Sequence, residues 1–185
     1  MRQIGLALHM YANDNDGFLP TTTHGNPTNA SWIYLLASDM ANVDKIRACP
    51  ADPKADSRLA VQGTSYLMNE YTAVDAVDPF GTVLESYRKL DTLAHPTETI
   101  TVFECANEQG ASIYNDHTHS RNWLAGWASV CTDIQPDRHR SGGPAGDHSS
   151  GLANYLFADG HASALQAAPL KKRIEGGDNF AAPLK

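Results

Sequence analysis

The first sixteen residues, MRQIGLALHMYANDND, place Ile4, Leu8 and Tyr11 at helical spacing with Ala7 and Ala12 beside them. The pattern breaks in the turn-forming run 13–17, so an amphipathic helix is expected over 1–16. Met1, Arg2 and Gln3 offer no capping Ser, Thr, Asp or Asn, so either the helix begins further upstream or its first turn frays at a natural terminus. Residues 18–30 are rich in Thr, Asn, Pro and Gly and predict a loop. A second helix is expected over 31–41, where Trp32, Leu35, Leu36 and Met40 share a face of the kind that more often packs a core than lines a pocket. The stretch CPADPKADS (49–57), with two prolines, reads as an irregular surface loop. Short strands are expected over 64–68 and 97–105, the latter (TETITVFEC) dense in β-branched residues and set off by Pro96. Residues 107–137 form a polar, tryptophan-bearing stretch without a firm periodicity.

Near the end, NYLFADGHASAL (154–165) sets two apolar-rich runs around Asp159-Gly160, the dipeptide suited to a type I′ hairpin turn. The pattern as a whole predicts one α+β domain, with helices early and a small antiparallel sheet late. Its parts are the opening helix (1–16), a globular head (17–166) with long loops, and a tail (167–185).

Composition agrees with a single soluble domain: 185 residues, 42% hydrophobic, Lys+Arg 14 against Asp+Glu 21, and a net charge of −7. Without a basic stripe, nucleic acid is not an expected partner. No apolar run approaches the roughly 20 residues that cross a bilayer. Three cysteines, Cys49, Cys105 and Cys131, allow at most one intrachain disulfide and leave one thiol.

Several patterns invite chemistry. Asp14-Asn15-Asp16-Gly17 suggests a calcium loop, but with Gly17 at the sixth position both anchoring carboxylates are missing, and a turn is the better reading. His117 and His119 fall on one side of an extended Asp-His-Thr-His segment, while His148, Asp159 and His161 cluster near the hairpin. These nitrogen and oxygen donors suit zinc or, with loop carbonyls, calcium, although histidines beside turns are often only solvated or bonded to backbone. No cofactor is demanded beyond such a divalent metal. Asp147-His148-Ser149 is not a serine-hydrolase triad, because neighbours in an extended chain diverge and no Gly-x-Ser-x-Gly elbow occurs. Glu104 and Glu108 would act as an acid/base pair only in a shared cleft. Walker and Gly-x-Gly-x-x-Gly loops are absent from the sequence.

Four segments in order, MRQIGLALHMYANDNDGFLP, CPADP (49–53), SYLMN (65–69) and RHRSGGPAGDHSSGLANYLFADGHASAL (138–165), resemble the prepilin-type, H-X9-DG class of type II secretion pseudopilin-like proteins. The likeness spans most of residues 1–165. Ten residues rather than nine separate His148 from Asp159, so the family histidine corresponds either to His148 with one insertion or to His139 with a longer one. The resemblance implies a pilin-like fold, a helix packed on a small antiparallel sheet, with residues 1–16 as the end of a longer helix whose apolar half anchors the subunit in the inner membrane. It implies no catalytic residues, a location in the cell envelope with the head outside the cytoplasm, and other pseudopilin subunits and the secretion apparatus as partners. There a disulfide from Cys49 to Cys105 or Cys131 could persist. Two other readings predict differently. A metal-dependent envelope hydrolase would use His117, His119, His148, Asp159 and His161, and a carbohydrate- or protein-binding module would present Trp123 and Trp127.

Overall fold

The opening helical pattern becomes α1 (Arg2–Asp14) in the computed structural model, which describes residues 1–23, 31–140 and 146–185. The helix ends where the polar turn begins: the Asn15 side chain donates to the Tyr11 carbonyl, and Gly17, at φ +83°, donates its N–H to the Ala12 carbonyl. Among the described residues the remaining α-helices are α2 (Trp32–Leu35), α3 (Ala55–Ala60), α4 (Glu70–Ala73), α5 (Trp127–Asp133) and α6 (Ala167–Glu175). The strands are β1 (Tyr66–Met68), β2 (Ala76–Val77), β3 (Val83–Glu85), β4 (Ile100–Glu104), β5 (Leu152–Phe157) and β6 (Ala162–Gln166). Helix and antiparallel sheet thus share one chain: β1, β4, β5 and β6 form a four-stranded sheet in that order, and β2 pairs with β3 apart from it. Among the described residues no helix is long and apolar enough to cross a membrane.

Alternation along the strands divides the interior into two cores. Leu67, Phe103 and Tyr155 point to one face, where Phe103 meets Trp123 edge-on at 5.2 Å and Tyr155 at 5.8 Å. Val130 of α5, Leu170 and Ile174 of α6, and Phe180 complete that layer, so residues 167–185 contribute directly to the core. Met68, Val102 and Leu156 point to the other face and share their core with Ile4, Ala7 and Leu8 of α1 and with Trp32, Leu36 and Met40. With both faces covered, β4 is buried at every position.

Several expectations change. The helix expected over 31–41 is only one turn, because the chain continues in hydrogen-bonded turns and enters positive φ at Ala41 and Asn42. Trp32, Ile33, Leu36 and Met40 are nevertheless buried, and Leu35 is half-buried. Segment 49–57 is not purely surface, since Asp52 is 4% exposed and α3 begins inside it. The hairpin turn is not type I′. Phe157 O accepts from Gly160 N–H, Phe157 N–H donates to His161 O, and only Gly160 has positive φ, at +87°, which describes a type I turn closed by a left-handed glycine. Asp159 serves as an acceptor there, taking the His161 N–H at 3.1 Å.

Gly160→Val places a β-branched residue at this φ, with its Cβ about 3.1 Å from the His9 ring. The expected loss is about 1–3 kcal/mol, read as a lower denaturation midpoint. An unchanged midpoint would rule out the turn geometry described.

Candidate functional site

Strand register brings the first site residues together. Tyr66 on β1 pairs with Glu104 on β4, and both lie on the sheet face that carries α1. Asn154 on β5, two residues before Leu156, projects to the same side. Glu104, 2% exposed, accepts the Asn154 backbone N–H at 2.9 Å through Oε2. Its Oε1 lies 3.2 Å from Cys49 Sγ and 3.0 Å from His139 Nε2. The Asn154 amide nitrogen is 2.7 Å from that same imidazole nitrogen, and Tyr66 lines the adjoining cleft. Burial, reinforced by the negative charge of Glu104, pushes the Cys49 thiol up to about 11, so it is protonated and donates to the carboxylate. A cleft of about 320 Å³ reaches the cluster beside the first turn of α1.

A buried ionic network positions two of these residues. Asp52 N–H donates to Cys49 O at 3.0 Å, closing the turn that carries the thiol. The Asp52 carboxylate accepts from Arg58 Nε at 2.8 Å, Ser65 Oγ at 2.7 Å and Lys54 N–H at 2.9 Å. Arg138, immediately before His139, lies 3.9 Å from the same carboxylate and donates to the Cys105 carbonyl and Asn107 Oδ1. Burial alone would raise the Asp52 pKa, but the Ser65 and Lys54 hydrogen bonds and the two guanidiniums outweigh it and hold the carboxyl below its usual range. Arg58 is fully buried and also donates to the Ala106, Gln109 and Gly110 carbonyls.

The metal ligands expected from sequence do not form one centre. His117 Nδ1 bonds Asp116 Oδ1 at 2.8 Å, and its ring lies 5.3 Å from that of His119, which is 3.5 Å from Asp133. His148 Nδ1 is 3.1 Å from Asp137 Oδ1 in a separate cleft. His161 bonds Asp159 at 2.6 Å and stacks on Phe157. The five residues thus fall in three places, and each histidine has its own carboxylate neighbour. Among the described residues the one cluster of three metal-ligating types is Cys49, Glu104 and His139.

The expected disulfide is also absent: Cys49, Cys105 and Cys131 are all free. Strand alternation separates them, because Glu104 faces Cys49 in the α1-side core while its neighbour Cys105 points into the opposite core, against which Cys131 packs. Trp123 is buried and donates to Asp133 Oδ2. Trp127 is 8% exposed and donates to the Asp147 carbonyl, so neither supplies the exposed aromatic surface of the binding-module alternative.

The sequence carried a signal for Glu104. A single acid between Phe103 and Cys105 in a strand otherwise built for burial needs polar partners inside. No such local signal exists for Cys49, which reaches the carboxylate from 55 positions away.

A second juncture links the two ends of the chain. Gly5 of α1 sits against the β5–β6 turn so closely that a Cβ there would lie 2.8 Å from the Gly160 carbonyl oxygen and 2.8 Å from Leu156 Cδ1. The quoted opening and closing segments therefore meet in space, while the CPADP, SYLMN and His139 segments meet at the Cys49 cluster. The chain matches no protein-family model, and no curated protein or solved structure is significantly similar to it.

Proposed function

We propose that this chain is the globular part of a pseudopilin-like structural subunit, of a type II secretion or type IV pilus-related apparatus, held in the cell envelope by an apolar helix continuous with α1. The observation that carries this reading is the two-sided apolar character of α1. Ile4, Ala7 and Leu8 are buried against Met68, Val102 and Leu156, whereas Leu6 (63% exposed) and Met10 (43% exposed) leave apolar surface facing outward. A helix serving only its own domain needs one such face. A pilin-like helix needs two, one for its sheet and one for the helices of neighbouring subunits. The order of the four resembling segments adds support, and so does their convergence on two spots. In this arrangement the helix supplies assembly energy through apolar burial, while the acidic outer surface sets which neighbours fit.

The test is amino-terminal sequencing and intact mass of the native protein extracted from the envelope in detergent. The expected mature chain carries a processed apolar helix of about 20 residues running directly into Arg2-Gln3-Ile4. A mature chain that starts at Met1, or that follows an ordinary secretory cleavage, removes the anchor and with it the proposal.

A further inference from the structure

We propose that Cys49, Glu104 and His139 form a zinc site at the first turn of α1, with one coordination position open to the adjoining cleft. The inference is independent of the pseudopilin reading, since it concerns side chains of the head alone.

The donor set selects the ion. One sulfur, one imidazole nitrogen and one carboxylate oxygen match zinc's preference for mixed nitrogen, sulfur and oxygen ligands, whereas calcium takes six to eight oxygens, which this cluster lacks. The three ligand atoms all lie within 4.8 Å of one another. Zinc bonds of about 2.3 Å to sulfur and about 2.0–2.1 Å to nitrogen and oxygen put tetrahedral ligand atoms roughly 3.3–3.6 Å apart. The present separations of 3.2 Å (Sγ to Oε1) and 3.0 Å (Oε1 to Nε2) are slightly shorter, so an ion enters by spreading the cluster a few tenths of an ångström, and the Cys49 S–H proton leaves as it binds.

One contact must give way: the Asn154 side-chain amide, 2.7 Å from His139 Nε2, turns aside as that nitrogen takes the ion, and the other surroundings hold the ligands in place. The Asn154 N–H fixes Glu104 through Oε2 and leaves Oε1 to the ion. The Asp52 network locks the Cys49 turn and the residue before His139. His139, with its side chain 30% exposed, gives the ion a route from solvent. Three protein ligands beside a cleft leave a fourth position for water, the pattern of zinc sites that bind or activate a small molecule rather than only brace a fold.

The experiment loads the purified chain with zinc, removes excess ion by gel filtration and measures metal content, then repeats the loading with cobalt(II) and records its absorption. One zinc per chain is expected, with a thiolate-to-cobalt charge-transfer band that vanishes in Cys49→Ser. His139→Ala, at a partly exposed position, should keep its circular dichroism and lose affinity by about tenfold or more. Zinc should raise the melting temperature of the parent chain and not of that variant. His161→Ala and the double variant His117→Ala/His119→Ala should bind like the parent. Substoichiometric zinc in the parent chain, absence of the charge-transfer band, unchanged affinity in His139→Ala, or loss of binding in the His117/His119 variant overturns the site. None of these results bears on the processed amino terminus, so the two proposals fail separately.

Discussion

Asp52→Ala is expected to lower the unfolding free energy by about 3–5 kcal/mol, the usual cost of removing one partner from a buried ion pair. The side chains of Asp52, Arg58 and Arg138 are all within 1% of full burial, so two guanidiniums would be left facing a cavity without their anion. The loss should appear in urea as a lower midpoint with little change in slope. A shift within about 0.5 kcal/mol, typical of surface substitutions, would mean that the network does not hold the fold. Its pH dependence has a definite sign. Because the folded pKa of Asp52 lies below its unfolded value, near 3.9 for a free aspartate, the contribution is fully present above that value. It is lost as the pH falls through the lower folded pKa. The parent chain should therefore lose stability on acidification below about pH 4 more steeply than Asp52→Ala, whose stability over the same range lacks this component.

Gly5→Val should lower stability by about 2–3 kcal/mol, the upper part of the range for overpacking. The obstacle is backbone as well as side chain: the new Cβ would lie 2.8 Å from the Gly160 carbonyl oxygen, which cannot turn aside as a flexible side chain would. Helix propensity acts in the opposite direction, but replacing glycine by valine gains only about 0.3–0.5 kcal/mol, so the clash decides the sign. Leu6→Ser, one position along on the exposed face, is the matched control and should fall within about 0.5 kcal/mol of the parent. Equal melting temperatures for Gly5→Val and Leu6→Ser would mean that α1 does not rest on the β5–β6 turn. A large loss in Gly5→Val alone supports the close docking on which the pseudopilin proposal draws.

Local patterns made much of the architecture legible. The Ile4, Leu8, Tyr11 stripe and the β-branched run around Val102 each encode an element in consecutive residues, and both elements form. Asp159-Gly160 likewise announced a hairpin, although the same two residues serve two turn types and the sequence pointed to the wrong one. The helix expected over 31–41 stops after one turn at Leu35, and the chain runs on through locally hydrogen-bonded turns to positive φ at Ala41 and Asn42, a break that the apolar spacing alone does not reveal. Buried polar structure was least legible. Asp52 looked like a surface residue beside two prolines, yet its partners Arg58, Ser65 and Arg138 lie 6, 13 and 86 positions on. The histidines that stood out by spacing lie in three separate places, each beside an aspartate. His139, hidden between two arginines, is the one that reaches Glu104.

The seat of Gly5 against Gly160 also sets an order of events during synthesis. The surface that receives α1, including Leu156 and the turn at Gly160, is synthesised only after the helix itself, about 150 residues further along the chain. At about 5–20 residues per second, the helix waits roughly 8–30 s before its own sheet exists. Throughout that interval its apolar stripe is open to any other partner that can bury it, and the head can close only after that competition has been decided.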